Sequence, residues 1–221
     1  LHTHQQNNRI APTDKRLERF FGLRITTSTF STKRKETMIS LATEQDILLI
    51  ESLILECKKH MKSEQIEQWT SDYPSRQSLE RDVHSQTLFT YHLPESESEE
   101  DKKVIVGIVV LNDIQEDEYK QVPWSTPVSH PKTLCIHRLA THPNYQRRGI
   151  ANELIKFAET QYAIQHSFHT IRLDTFYQNK PARSFYESRG YRLVGNIKMP
   201  KYREDDVYCC YEKHVELLPS S

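Results

Sequence analysis

One stretch of this sequence, Leu139–Asn152, constrains the fold more than any other. It predicts a short apolar strand, a Pro-Asn turn, and a helix whose start carries a Gln, two Arg and a Gly. After Gly149, apolar residues recur at the spacing of one helix face, at Ile150, Leu154, Phe157 and Ala158. The first amides of a helix have no partner within it, and the macrodipole makes that end attractive to anions. The segment therefore predicts a diphosphate cradle, with a solvated helix start as the plainer alternative.

Two motifs in this chain resemble those of a known family. Gln146–Ala151 matches the Q/R-x-x-G-x-G/A signature of the GNAT superfamily of N-acetyltransferases, and Asn179–Glu187 is similar to that family's N-x-x-A-x-x-F-Y-E segment. The resemblance covers about Met38 to Val215. It implies a mixed, mostly antiparallel central sheet flanked by helices on both faces. The alternation of predicted strands and helices independently favours an α/β fold with a mixed sheet.

The resemblance also implies acetyl-CoA as cosubstrate, without a metal, and indicates the residues that would hold it. Backbone groups of the strand before the turn would face the pantetheine arm and the thioester carbonyl. The candidate cofactor-binding residues are Leu139, Ala140, Thr141, Gln146, Arg147, Arg148, Gly149, Ile150, Ala151, Asn152 and Asn179. Asn179 is also a predicted helix N-cap, ahead of a proline tolerated in the first turn, and both roles are compatible.

Acyl transfer to an amine requires a base, because a lysine-like amine with a pKa near 10.4 is neutral in only about one molecule in 2,500 at pH 7. Asp174 is the first candidate, since strand alternation turns Arg172 and Asp174 to the same face. The resemblance implies that some family members that acetylate protein N-termini carry a catalytic Glu at the position of Asp174. The shorter Asp favours a water relay. An ion pair with Arg172 or a neighbouring strand is the structural alternative.

Two further residues have candidate catalytic roles. His137 is the reserve base, because its ordinary pKa lies near neutrality; a packed strand histidine is the alternative. The resemblance places Tyr186 beside the coenzyme A sulfur, where its hydroxyl could protonate the leaving thiolate, whereas helix packing with Ala182 and Phe185 is the plain interpretation. Trp69, Asp72, Tyr73 and the loop 119–130 are candidates for the acceptor side.

Composition narrows the class of protein. A chain of 221 residues predicts one domain with a substantial core. Lys plus Arg equals Asp plus Glu at 30 each, so no overall basic charge indicates a nucleic-acid partner. Four cysteines without a C-x-x-C pair predict reduced thiols, no zinc site and a cytoplasmic protein. No apolar run reaches membrane-spanning length, so we expect no membrane partner.

For domain organisation we expect a disordered or non-native extension at 1–37, the catalytic domain at 38–215 and a short tail at 216–221. The acidic connection 94–101 predicts a solvated loop. The first hypothesis is an acetyl-CoA-dependent N-acetyltransferase acting on a small-molecule or protein amine, with a homodimer left open. Its rivals are a non-catalytic coenzyme-A-binding sensor or assembly protein, and a nucleic-acid-associated factor that uses the basic segment 1–37.

Overall fold

A seven-stranded sheet, with strands ordered β1-β2-β3-β4-β5-β7-β6, forms the centre of the computed structural model, which describes residues 38–93, 104–199 and 205–215. Only β4 and β5 run parallel; every other neighbouring pair is antiparallel. This confirms the mixed, mostly antiparallel sheet. The strands are β1 (Ile39–Leu41), β2 (Leu88–His92), β3 (Ile105–Asn112), β4 (Thr133–Thr141), β5 (Thr170–Phe176), β6 (Arg192–Lys198) and β7 (Val207–His214).

Helices cover both faces of this sheet, as predicted. The helices are α1 (Ile47–Ser63), α2 (Arg76–His84), α3 (Ile150–Phe157), α4 (Ala163–Gln165) and α5 (Lys180–Glu187). One core cluster packs α1 and α2 against residues such as Ile108 and Val110 of β3. A second packs α3 and α5 against Val109 and Leu111 of the same strand. Because β3 is buried on both sides, its sequence is almost continuously apolar.

Local sequence signals account for where the helices begin. The backbone N–H of Thr43 donates to the Asp46 carboxylate at 2.9 Å, which forms a capping box ahead of α1. The apolar face of α1 is buried at Ile50 and Ile54. The Asn179 side chain caps α5 by accepting from the Ala182 N–H at 3.1 Å, as predicted.

Two elements differ from the sequence predictions. From its apolar spacing the cradle helix is expected to extend to about Gln165; in the structure a π-helical turn at Ala158–Tyr162 joins α3 to α4 over this stretch. The predicted loop 119–130 begins inside a short 3-10 helix, Asp117–Gln121. The predictions on 1–37, on the connection 94–101 and on 216–221 lie outside the described residues. In the part of the chain that is described, no helix is long and apolar enough to cross a bilayer.

Candidate active site

The two parallel strands separate at the centre of the sheet. β4 and β5 pair only at their first residues, from Thr133 opposite Thr170 to Cys135 opposite Arg172. Beyond that point β4 continues beside β3 as far as Thr141, and β5 continues beside β7. The carboxyl-terminal halves of β4 and β5 therefore have a gap between them, which is where ligands bind in many open α/β sheets.

A β-bulge in β4 lies at this gap. Ile108 of β3 pairs with Ala140 and Val110 pairs with His137, so Arg138 and Leu139 together face one residue of β3. Arg138 has a φ of +50°, in the left-handed region that L residues rarely adopt. Such a bulge takes backbone groups out of the ladder. The backbone around Leu139 is thus turned away from regular sheet pairing beside the gap.

The predicted cradle opens at the amino end of α3. Gly107 of β3 permits the close approach of this helix, because a Cβ there would lie 2.7 Å from Ile150 Cγ2. Gly149 precedes the helix with a φ of +86°, and Arg147 has a φ of +61°. Left-handed residues in a turn are typical of backbone nests that bind anions. No atom lies within 4 Å of a Cβ built on Gly149, so the turn is open at this position.

Other candidate cofactor residues have contacts within the protein. The Arg148 guanidinium lies 4.9 Å from the centre of the Tyr145 ring. The side-chain oxygen Oδ1 of Asn152 accepts a hydrogen bond from the Arg189 guanidinium at 2.9 Å, so this side chain connects α3 to the residues just after α5. Gln146, Arg147 and Gly149 are exposed, Ala151 is half-buried and Ile150 packs into the core. Among these candidates, Asn152 is thus already engaged by a side chain of the protein.

A narrow polar pocket of about 60 Å³ lies at the gap and contains all three candidate catalytic residues. Its volume corresponds to about two water molecules, so it can hold a reacting group but not a whole ligand. The lining residues are Gln68, Trp69, Tyr73, Glu116, Ile136, His137, Arg138, Leu139, Asp174, Tyr186 and Tyr208. The structure thus brings Asp174, His137, Tyr186 and the Leu139 segment together.

Tyr186 is buried, with 7% of its surface exposed, and its ring packs edge-on against Tyr191 at 5.8 Å between ring centres. Within the described residues its hydroxyl makes no hydrogen bond, although it lines a polar pocket. Burial, and then the nearby Asp174 charge, raise the pKa of Tyr186 well above its usual value. The hydroxyl therefore stays protonated and can act as a donor.

Asp174 accepts a hydrogen bond from the Tyr119 hydroxyl at 2.8 Å. The alternative of an ion pair with Arg172 is not observed: the Arg172 guanidinium binds Glu212, with Nε to Oε1 at 3.0 Å. The alternation along β5 was predicted correctly, since both side chains lie on the side of the sheet that meets the loop between β3 and β4. What the sequence did not reveal is that each has a different partner.

His137 is held by its Nε2 atom, which lies 3.1 Å from Asn112 Oδ1 and 3.1 Å from the carbonyl oxygen of Ile114. A backbone carbonyl can only accept, so Nε2 carries the proton. The imidazole therefore donates from Nε2 to the loop after β3, and it lines the pocket beside Glu116.

The acceptor-side candidates occupy two places. Trp69 and Tyr73 line the narrow pocket, whereas Asp72 lines a separate cleft of about 860 Å³ between α1, α2 and the loop that joins them. Trp69 borders both spaces. Of the loop 119–130, Tyr119 reaches Asp174, and Trp124 stacks on Arg172 at 4.4 Å.

The pocket lining includes residues that were not predicted from the sequence, among them Gln68, Glu116 and Arg138. Tyr119, from the predicted loop 119–130, does not line the pocket but reaches Asp174. The Nη1 atom of Arg138 forms an ion pair with Oδ2 of Asp82 at 3.0 Å, and both side chains are largely buried, at 14% and 13% exposure. Burial raises the pKa of Asp82, and Arg138 opposes that rise. No sequence signal marked Gln68, Glu116 or Arg138, whereas Tyr119 lies in the long loop 119–130, and long loops often carry function.

Comparison with known proteins agrees with this geometry. The family model described as the acetyltransferase (GNAT) family matches residues 54–191. A Staphylococcus aureus Mu50 structure assigned to the acetyltransferases is 26% identical, with a TM-score of 0.59, and the match covers 81% of this chain and 100% of that one. A GNAT-family acetyltransferase from Streptococcus agalactiae 2603 is 22% identical, with a TM-score of 0.63 over 80% of this chain and 95% of its own.

A more distant structure, the ribosomal-protein-S18-alanine N-acetyltransferase of Escherichia coli, shares the fold at 13% identity, with a TM-score of 0.53 over 83% of this chain and 96% of its own. A search of curated proteins finds no significant match. The family model spans more than half of the chain and includes the cradle, the pocket strands and α5. The chain belongs to the acetyltransferase (GNAT) family.

Proposed function

We propose that this protein transfers an acetyl group from acetyl-CoA to a primary amine, by direct attack of the amine on the thioester. The observation that carries the proposal is the hydroxyl of the buried residue Tyr186, which makes no hydrogen bond among the described residues and opens into a pocket of about 60 Å³ that Asp174 also lines. A proton donor and a carboxylate side by side are what an amine and a departing thiolate require.

In this proposal each residue has one task. The turn at Arg147–Gly149 and the start of α3 hold the diphosphate, which directs the thioester toward the gap between β4 and β5. Backbone groups around Leu139 bind the carbonyl oxygen as negative charge develops on it. One such donor is typically worth about 10²–10³-fold in rate.

Asp174 accepts the proton of the incoming ammonium, directly or through a water molecule. The neutral amine nitrogen then forms a bond to the carbonyl carbon while the bond from that carbon to sulfur breaks, and Tyr186 protonates the sulfur. The second proton that the nitrogen loses as the amide forms returns to the Tyr186 oxygen, directly or through a water molecule. His137 is the alternative base, and its Nε2–H bond to the Ile114 carbonyl leaves only Nδ1 able to accept a proton.

Direct transfer is supported by the state of the cysteines. Cys135, the cysteine closest in sequence to the cradle, has no exposed surface, and burial raises its pKa far above that of an ordinary thiol. The thiolate is the nucleophilic form of cysteine, so an acyl-cysteine route would need a group that is not formed here.

The test is a panel of amines assayed with the full chain for acetyl-CoA-dependent release of coenzyme A, together with calorimetry of acetyl-CoA binding. Small polyamines, amino sugars and peptides with a free N-terminus or a lysine would cover the acceptor classes. Release with at least one class supports the proposal. Binding without release from any amine would favour the coenzyme-A-binding sensor, and no binding at all would contradict both.

A further inference from the structure

Tyr119 is a core residue that contacts Asp174, one of the residues lining the pocket. It has no exposed surface, and its hydroxyl donates to Asp174 Oδ2 at 2.8 Å. The Trp124 indole donates to the Tyr119 backbone carbonyl at 2.8 Å, and the two rings lie 5.0 Å apart. The residue belongs to the short 3-10 helix Asp117–Gln121, in a connection of the kind that is usually mobile.

A single buried arginine fixes that connection on both sides of Tyr119. Arg172 has no exposed surface; its NH1 donates to Gln115 Oε1 at 2.7 Å and its NH2 to the hydroxyl of Thr126 at 2.9 Å. Its Nε donates to Glu212 at 3.0 Å. Arg172 stands two residues before Asp174 on β5. Strand β5 therefore contacts the loop between β3 and β4 twice: Arg172 binds the loop on either side of Tyr119, and Asp174 accepts the hydrogen bond of Tyr119 itself.

We infer that Tyr119 is a positioning residue, whose hydroxyl holds the Asp174 carboxylate in the ionised form and in one orientation beside the Tyr186 hydroxyl. This inference rests on the proposed function, because it assigns a purpose to the bond only if Asp174 accepts the proton of the amine. Burial alone would favour the protonated carboxyl, and a hydrogen bond donated to the carboxylate favours the charged form.

The environment of Asp174 keeps the Tyr119 hydroxyl protonated, so that it can always donate its hydrogen bond to the carboxylate. Burial, and then the Asp174 charge, raise the pKa of Tyr119 well above its usual value, so its proton remains in place. Burial also raises the pKa of Cys135 and Cys210, which therefore stay neutral. The titratable or charged groups that face Asp174 from the surrounding elements are Tyr119, Tyr186, Cys135, Cys210, Glu116, His137, Arg138 and Tyr208.

The test is the pH dependence of kcat/KM for the full chain, measured by coenzyme A release across about pH 5 to 9. Removing the hydroxyl in Tyr119→Phe removes a bond that stabilises the charged form, so the pKa of Asp174 rises. The acid limb of the pH profile of kcat/KM, where activity falls as Asp174 gains a proton, should move to higher pH by about one unit. The dissociation constant of acetyl-CoA should stay the same. The matched control is Tyr91→Phe, a buried tyrosine of β2 that donates to Met38 instead.

A second substitution protects the test against misfolding. Replacing Tyr119 by 3-fluorotyrosine keeps the packing and makes the hydroxyl a stronger donor, so the acid limb should move to lower pH. An active enzyme whose acid limb moves in neither variant would overturn the inference and leave the proposed function standing. A wild-type chain that releases no coenzyme A with any amine would overturn the proposed function, and the inference with it.

Discussion

The Asn179 side chain donates from Nδ2 to Oε1 of Gln68 at 2.6 Å, across 111 positions of the sequence. The same oxygen of Gln68 lies 3.3 Å from the hydroxyl of Thr175, while Asn179 Oδ1 caps α5. Gln68 therefore connects the loop between α1 and α2 to the end of β5 and the start of α5. That loop also carries Trp69 and Tyr73, which form one wall of the narrow pocket.

Loss of this connection should weaken acceptor binding more than chemistry. In Gln68→Ala we expect the KM for the best amine of the panel to rise by about tenfold, because the wall loses its attachment. The free energy of unfolding should fall by about 1 kcal/mol, the usual value of one such hydrogen bond. Steady-state kinetics and urea denaturation measure the two effects. Gln77→Ala, at an exposed position of α2, is the control, and an unchanged KM in Gln68→Ala would contradict the assignment.

Tyr186→Phe separates catalysis from binding. The phenyl ring keeps the packing against Tyr191, but no proton is available for the departing thiolate, so kcat should fall by about 10²-fold. Calorimetry should give the same dissociation constant for acetyl-CoA as the wild type. Tyr91→Phe again serves as the control for removal of a buried hydroxyl. Wild-type turnover in Tyr186→Phe would exclude this residue as the acid.

What the sequence predicted depended on local signals. Alternation placed Arg172 and Asp174 on one face, and Asn179 was identified as a helix N-cap. Each of these depends on residues within a few positions of each other.

The contacts that complete the pocket were not predictable in this way. Tyr119 meets Asp174 across 55 positions and Gln68 meets Asn179 across 111, and no periodicity connects such pairs. Arg138 gave no signal either, because a left-handed φ in a non-glycine residue is imposed by the bulge and not by its own preference. Tertiary packing decided these positions.

The buried pair Arg172–Glu212 should dominate a stability measurement. Arg172→Met leaves the Glu212 carboxylate buried without its partner and frees Gln115 and Thr126, so we expect a loss of about 3–5 kcal/mol in the free energy of unfolding. The control, Arg76→Met, breaks two exposed ion pairs, with Glu51 and Glu80, and should cost less than about 1 kcal/mol. Urea denaturation compares the two, and equal losses would contradict the role given to Arg172.

The native thiols should be unreactive. All four cysteines are buried and free, and burial raises the pKa of Cys57 to about 12. At pH 8 almost no thiolate forms, and the thiolate is the species that reacts. A disulfide reagent should therefore count no thiols in the folded protein and all four in urea. Cys135→Ala should keep its activity, and loss of acetyl transfer in a folded Cys135→Ala variant would argue for an acyl-cysteine route.

The diphosphate cradle can be tested with two glycines of nearly equal conformation. Gly149 has a φ of +86° and Gly190 a φ of +81°, and an added Cβ meets no atom within 4 Å at either site. Each change to Ala should therefore cost about 1 kcal/mol of stability, from backbone strain alone.

Only Gly149→Ala would put a methyl group into the proposed cradle. Calorimetry should then give at least about a tenfold weaker affinity for acetyl-CoA in Gly149→Ala, equivalent to about 1.4 kcal/mol, and no change in Gly190→Ala. Equal affinities in the two variants would mean that the diphosphate binds elsewhere, because the strain is matched and only the position of the methyl group differs.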